Sequence, residues 1–308
     1  MTTTTALTLD GLTKRYGQRT VVDHLDLEVP TGVVAGFVGP NGAGKTTTMA
    51  MLLGLVRPSG GSGTVLGRTM ADPAKYLHKV GALIERPAFY PALTGVQNLR
   101  VLATLGGHDL DRIPALLELV GLEDRGDDRY KGYSLGMQQR LGIAAALLGD
   151  PDLLILDEPA NGLDPQGVRE MRHLVTTLAR SGRTILVSSH DLSELEQVCD
   201  WLLLIETGRS LFQGPADQLL GGAAASIAVA PSDPLDQQVL HEHLAAQGRE
   251  VRVEDGRLLV AVDGHDAVDL AAWINRSAFD KGIVLSELHP LRTTLEDRYL
   301  SMVQGGAR

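Results

Sequence analysis

Hydrophobic positions along the chain follow two rhythms. Continuous apolar runs at 33–38, 153–156, 184–187 and 201–205 alternate with longer stretches whose apolar residues recur every three or four positions. The runs are strand-sized and lack a polar face, which predicts strands covered on both sides in a parallel sheet. The longer stretches, 138–148 and 166–179 among them, predict the crossover helices. The opening segment reads differently: 7–9 and 20–29 alternate apolar with polar, as antiparallel strands do.

Residues 86–149 carry more helical signal than their surroundings, at 94–105 and 111–120, and predict a helical insertion in the α/β core. Beyond 212 the text changes. Gly221, Gly222 and three alanines predict a linker. A strand (226–230), a helix (234–247), two strands about an Asp255-Gly256 turn, a helix (266–277) and a strand (283–288) then follow, with a closing helix from Thr293. The order βαββαβ predicts a small split-βαβ, ferredoxin-like module. The expected division is therefore an α/β domain over 5–220 and an accessory α+β domain over 225–308.

Composition narrows the class. With 44% hydrophobic and 21% charged residues, the 308-residue chain can bury a substantial core. No apolar run approaches the roughly 20 residues that cross a bilayer. The opening Met-Thr-Thr-Thr-Thr lacks the basic start and apolar centre of a signal peptide. The single cysteine, Cys199, excludes an intrachain disulfide and fits a reducing cytosol. A net charge of −10 argues against nucleic acid as the main partner.

Chemistry enters at Gly39, Pro40, Asn41, Gly42, Ala43, Gly44, Lys45 and Thr46, which fit G-x-x-x-x-G-K-[ST] between a strand and a helix. Glycines let the backbone curl so that several N–H groups face one phosphate, and the following helix, from Thr47, adds its positive end. Lys45 would reach the β- and γ-phosphates and the Thr46 hydroxyl would ligate Mg²⁺. At average residue frequencies the bare pattern arises in roughly one chain in a hundred of this length, so the flanking strand and helix carry the assignment. The run at 153–156 ends in Asp157 and Glu158. Asp157 would hold Mg²⁺, and Glu158 would polarise the water that attacks the γ-phosphate. His190, after another apolar strand, would contact the γ-phosphate, and Tyr16 would stack on adenine.

Together these residues resemble the ABC ATPases. The discriminating stretch is Tyr133-Ser134-Leu135-Gly136-Met137, similar to the Leu-Ser-Gly-Gly-Gln signature, lying just ahead of the helix that leads to Asp157. Asn161-Gly162-Leu163-Asp164 resembles the D-loop and His190 the switch histidine. The resemblance implies a P-loop (RecA-like) core with antiparallel β and helical subdomains, ATP and Mg²⁺ as ligands, and ATP hydrolysis coupled to transport. It also implies a head-to-tail homodimer in which Ser134 and Gly136 of one copy cover the ATP held by the other. A separately encoded membrane permease would be the further partner, at the cytoplasmic face of the membrane. Leu135 and Met137 depart from the signature, and Glu85 stands where a glutamine is usual. These departures, with the close at Thr294-Leu295-Glu296-Asp297, resemble the bacitracin- and lantibiotic-resistance branch of drug-export ATPases. Glu85 would coordinate Mg²⁺ and report nucleotide state to the membrane partner. An importer ATPase and a non-transport ABC ATPase are the rival readings.

Overall fold

The computed structural model describes residues 4–85, 87–220, 226–262, 266–291 and 294–305. The expected glycine-alanine linker and Thr293 lie outside these residues. The chain forms two compact units, Met1–Ala216 with Ser301–Arg308, and Asp217–Leu300.

The first unit contains, in chain order, β1 (Thr5–Tyr16), β2 (Arg19–Pro30), β3 (Val34–Val38), α1 (Lys45–Leu52), β4 (Gly60–Val65), β5 (Arg68–Thr69), β6 (Val80–Leu83), α2 (Gly95–Gly106), α3 (Ile113–Leu119), α4 (Leu135–Ala146), β7 (Leu153–Asp157), α5 (Pro165–Arg180), β8 (Thr184–Ser189), α6 (Leu192–Glu196), β9 (Trp201–Glu206) and β10 (Arg209–Pro215). A six-stranded sheet runs β10-β9-β3-β8-β7-β6, parallel except for the β9–β10 hairpin. Every residue of β3, β7 and β8 is buried, which explains their unbroken apolar text. A second sheet, β2-β1-β4-β5, is antiparallel. Leu7, Leu9 and Leu25 from that sheet share one apolar core with Phe37, Ile155 and Leu186 of the first and with Met49 and Leu52 of α1. Cys199 is buried too, outside that cluster, and burial pushes its thiol pKa up.

Two helices of the insertion start with side-chain caps. Thr94 accepts from Gln97 N–H at 3.2 Å while Gln97 Oε1 accepts from Thr94 N–H at 2.9 Å, a reciprocal box. Ser134 caps α4 by accepting from Met137 N–H at 3.3 Å. The stretch expected as one helix over 111–120 divides into a 3₁₀ turn (Leu110–Arg112) and α3, with Pro114 in the first turn of the latter.

Beyond β10 come α7 (Ala216–Leu220), β11 (Ser226–Pro231), α8 (Asp236–Ala246), β12 (Val251–Glu254), β13 (Arg257–Ala261), α9 (Ala267–Asp280), β14 (Leu285–Leu291) and α10 (Leu295–Gly305). The sheet of the second unit is antiparallel in the order β12-β13-β11-β14, so β11 lies between β13 and β14, the two strands of the second β-α-β half. Ile227, Val229, Leu258 and Val260 pack with Leu240, Leu244, Leu270 and Ile274. Asp255 and Gly256 both have positive φ, 47° and 77°, between the paired Glu254 and Arg257, as a type I′ hairpin turn requires. Among the described residues, no helix is long and apolar enough to cross a membrane.

Candidate functional site

Strand order assembles the site. The strands β3, β8, β7 and β6 are parallel neighbours, so their carboxyl ends share one edge of the sheet. Out of that edge emerge the phosphate loop after β3, His190 after β8, Glu158 after β7 and Glu85 after β6. The crevice outside such an edge is where open α/β sheets bind ligands.

The phosphate loop passes from Val38 to α1 around a tight curl. Gly44, the residue before α1, has φ 106°. A Cβ placed there would lie 2.8 Å from Val21 O, so both the dihedral and the approach of β2 demand glycine. The Lys45 ammonium is 5% exposed, donates to Gly39 O at 2.6 Å, and stands 3.4 Å from Glu158 Oε1. An ammonium this buried would be costly without such partners.

The acidic end of β7 is fixed by its neighbours. Thr46 Oγ1 donates to Asp157 Oδ2 at 2.7 Å and Ser188 Oγ donates to Asp157 Oδ1 at 2.5 Å. The same Ser188 hydroxyl accepts from Glu158 N–H at 2.9 Å. One buried serine thereby orients both carboxylate residues. Glu158 has φ 47°, a left-handed conformation costing of order 1–3 kcal/mol in a non-glycine residue. Its Oε2 meets His190 Nδ1 at 2.8 Å. Behind His190, Asp191 caps α6 by accepting from Ser193 N–H at 2.9 Å. Hydrogen bonding from the Ser193 hydroxyl holds the Asp191 carboxyl below its ordinary range. Burial raises the neighbouring Glu194, and Asp191 adds to that effect.

The remaining residues singled out in the sequence stand apart from this network. Glu85 is exposed and has φ 57°. Leu83 pairs with Leu156 in the register, so Glu85 and Glu158 each lie two residues beyond a matched pair. Tyr16 is 50% exposed, with Lys14 Nζ 4.8 Å above its ring. Ser134 and Gly136 form the start of α4. Among the described residues, no hydrogen bond or ion pair joins either to the phosphate loop. Gly136 faces the D-loop segment of its own chain, and a Cβ there would meet only Leu163 Cδ2, at an ordinary 3.7 Å.

The structure also supplies members that the sequence did not mark. Ser188 is one. Arg19 is another: it pairs with Tyr16 across the β1–β2 hairpin, and its Nη2 lies 4.0 Å from where a Cβ on Gly42 would sit. A cation three residues past the aromatic was the visible signal. For Mg²⁺ the chemistry of the donors fits. Thr46 and Asp157 put oxygens side by side beneath the loop, and hard cations of this size take few protein oxygens, completing their shell with water and phosphate.

Known proteins match this chain along its whole length. The family model described as "ABC transporter" matches residues 22–161, which include the phosphate loop, the Ser134 segment and the Asp157-Glu158 pair. The bacitracin transport ATP-binding protein of Bacillus licheniformis is 40% identical, covering 98% of each chain. The lantibiotic transport ATP-binding protein of Streptococcus pyogenes is 41% identical over 68% of this chain and 91% of its own. A solved ATP-binding subunit of an ABC transporter superposes with a TM-score of 0.62 at 32% identity, covering 70% of this chain and 91% of that one. On this agreement of motif, fold and sequence, the chain belongs to the ABC transporter family, as one of its ATP-binding, ATP-hydrolysing subunits.

Proposed function

We propose that the chain binds MgATP at the carboxyl edge of its parallel sheet and uses hydrolysis to power export of a peptide antibiotic or similar amphipathic compound through a separate membrane subunit. The observation that carries the catalytic part is the shared anchoring of Asp157 and Glu158 by Ser188 beside the buried Lys45. In this reading the N–H groups of the loop Gly39–Thr47, Lys45 and Tyr16 bind the nucleotide. Thr46 and Asp157, with Glu85, hold Mg²⁺, which when bound neutralises charge on the phosphates. Glu158 accepts the proton of the water that attacks the γ-phosphorus, and ADP leaves as the P–O bond breaks. His190, through Nδ1, keeps the Glu158 carboxylate aimed at that water.

Ser134 and Gly136 have no such task within one chain. They fit a second copy, related by a two-fold axis, in which each signature covers the other's ATP. The second unit then serves assembly or regulation, and the pair works on the cytoplasmic side against a permease. The cargo class rests on the bacitracin and lantibiotic transport relatives. Expressing the chain with the membrane subunit that co-purifies with it in a sensitive host tests it. Tolerance to bacitracin or a lantibiotic should rise with the parent chain and not with Glu158→Gln. Equal susceptibility in both cases would remove these cargoes.

A further inference from the structure

A turn beyond β9, the strand beside β3, grips the phosphate loop from outside. β9 and β10 are joined by Thr207 and Gly208, whose φ values of 49° and 82° are those of a type I′ turn. Gly208 N–H donates to Ala43 C=O at 3.0 Å, and Gly208 C=O accepts from Asp23 N–H at 2.9 Å. The Asp23 carboxylate takes Arg209 Nε at 2.9 Å and Nη2 at 2.7 Å. A Cβ on Gly208 would lie 2.5 Å from Val21 O, so the backbones touch directly. Hydrogen bonds from His24 and Arg209 hold the Asp23 carboxyl below the ordinary carboxylate range.

A planar trans peptide sends its C=O and N–H in opposite directions. The carbonyl of the Ala43–Gly44 peptide is pinned outward onto Gly208, so its N–H, which belongs to Gly44, is aimed the opposite way. Gly44 is the N-cap of α1, where the loop's amides gather for an anion. We infer that Gly208 is a positioning residue for ATP binding: its N–H fixes the direction of the Gly44 N–H toward a phosphate oxygen, and the Asp23–Arg209 pair holds the turn in place. The inference deepens the nucleotide-binding reading and rests on it.

The test compares the full-length parent with Gly208→Ala, Arg209→Met and the swap Asp23→Arg with Arg209→Asp, by equilibrium ATP binding, KM, kcat and thermal melting. A misaimed donor to a charged oxygen should weaken ATP binding and raise KM by about tenfold in Gly208→Ala and severalfold in Arg209→Met. At saturating ATP, kcat should stay within about twofold of the parent. The swap should recover most of the lost affinity. Unchanged ATP affinity in Arg209→Met overturns the inference, as does a fall in kcat at constant KM or a swap that recovers nothing. Should Gly208→Ala fail to fold, Arg209→Met decides. A parent that itself failed to bind ATP would defeat the underlying reading instead.

Discussion

Two glycines set the phosphate side of this protein against its signature side. Gly44 is obligatory inside its own chain, since its φ and the nearby Val21 carbonyl leave no room for a Cβ. Gly136 opens a helix, where glycine costs about 1 kcal/mol relative to alanine, and its own chain would accommodate a methyl group. The same contrast holds for the serines. Ser188 is fully buried and serves both Asp157 and Glu158, whereas the Ser134 hydroxyl, among the described residues, bonds only within its own helix. The phosphate side is finished within one chain. In the proposed dimer, the signature side would find its task only against a second copy.

The largest expected break in that comparison is Glu158→Gln. Turnover should fall by about a thousandfold, within the range of lost general-base catalysis, while ATP affinity is retained and a two-chain species accumulates in size-exclusion chromatography. Near-parental phosphate release would take Glu158 out of the catalytic role. Gly136→Ala comes next and separates the two sides directly. Its melting temperature should match or exceed the parent's by about 1–3 °C, yet turnover should drop about a hundredfold if a second copy must seat ATP against that backbone. Parental turnover would mean that the signature side needs no close approach. The smallest effect concerns Asp191, whose cap sits behind His190. Asp191→Ala should cost about 1 kcal/mol at neutral pH. Because the folded carboxyl lies below its ordinary 3.8, this stabilisation is complete above that value and disappears as pH falls through the lowered one. Parent and variant melts should therefore converge in strong acid, and a constant gap down to pH about 2 would contradict the ionised cap.

How much of this was readable beforehand depends on the span of sequence each feature needs. The phosphate loop is a local pattern with flanking elements, so it was plain. The Asp255-Gly256 turn was plain for the same reason. The partnership of Ser188 with Asp157 and Glu158 was not, because it needs β8 to lie beside β7, a fact of sheet order. The signature was read as lying ahead of a helix starting near 138, but α4 begins at Leu135. The missed clue was the capping power of Ser134, which turns the motif into the helix's first turn. The left-handed backbone of Glu85 and Glu158 was likewise invisible, since surroundings rather than residue type enforce it.

Cys199 has a consequence for chemistry done to the protein rather than by it. Thiol reagents attack the thiolate, and a buried sulfhydryl whose ionisation is suppressed offers little of it at neutral pH. The chain's single native sulfur of this kind should thus ignore maleimides while the fold is intact. A cysteine placed at exposed Gln18 in the β1–β2 turn would take a fluorophore or spin label alone, so the hairpin beside the phosphate loop can be tracked without first removing a natural residue.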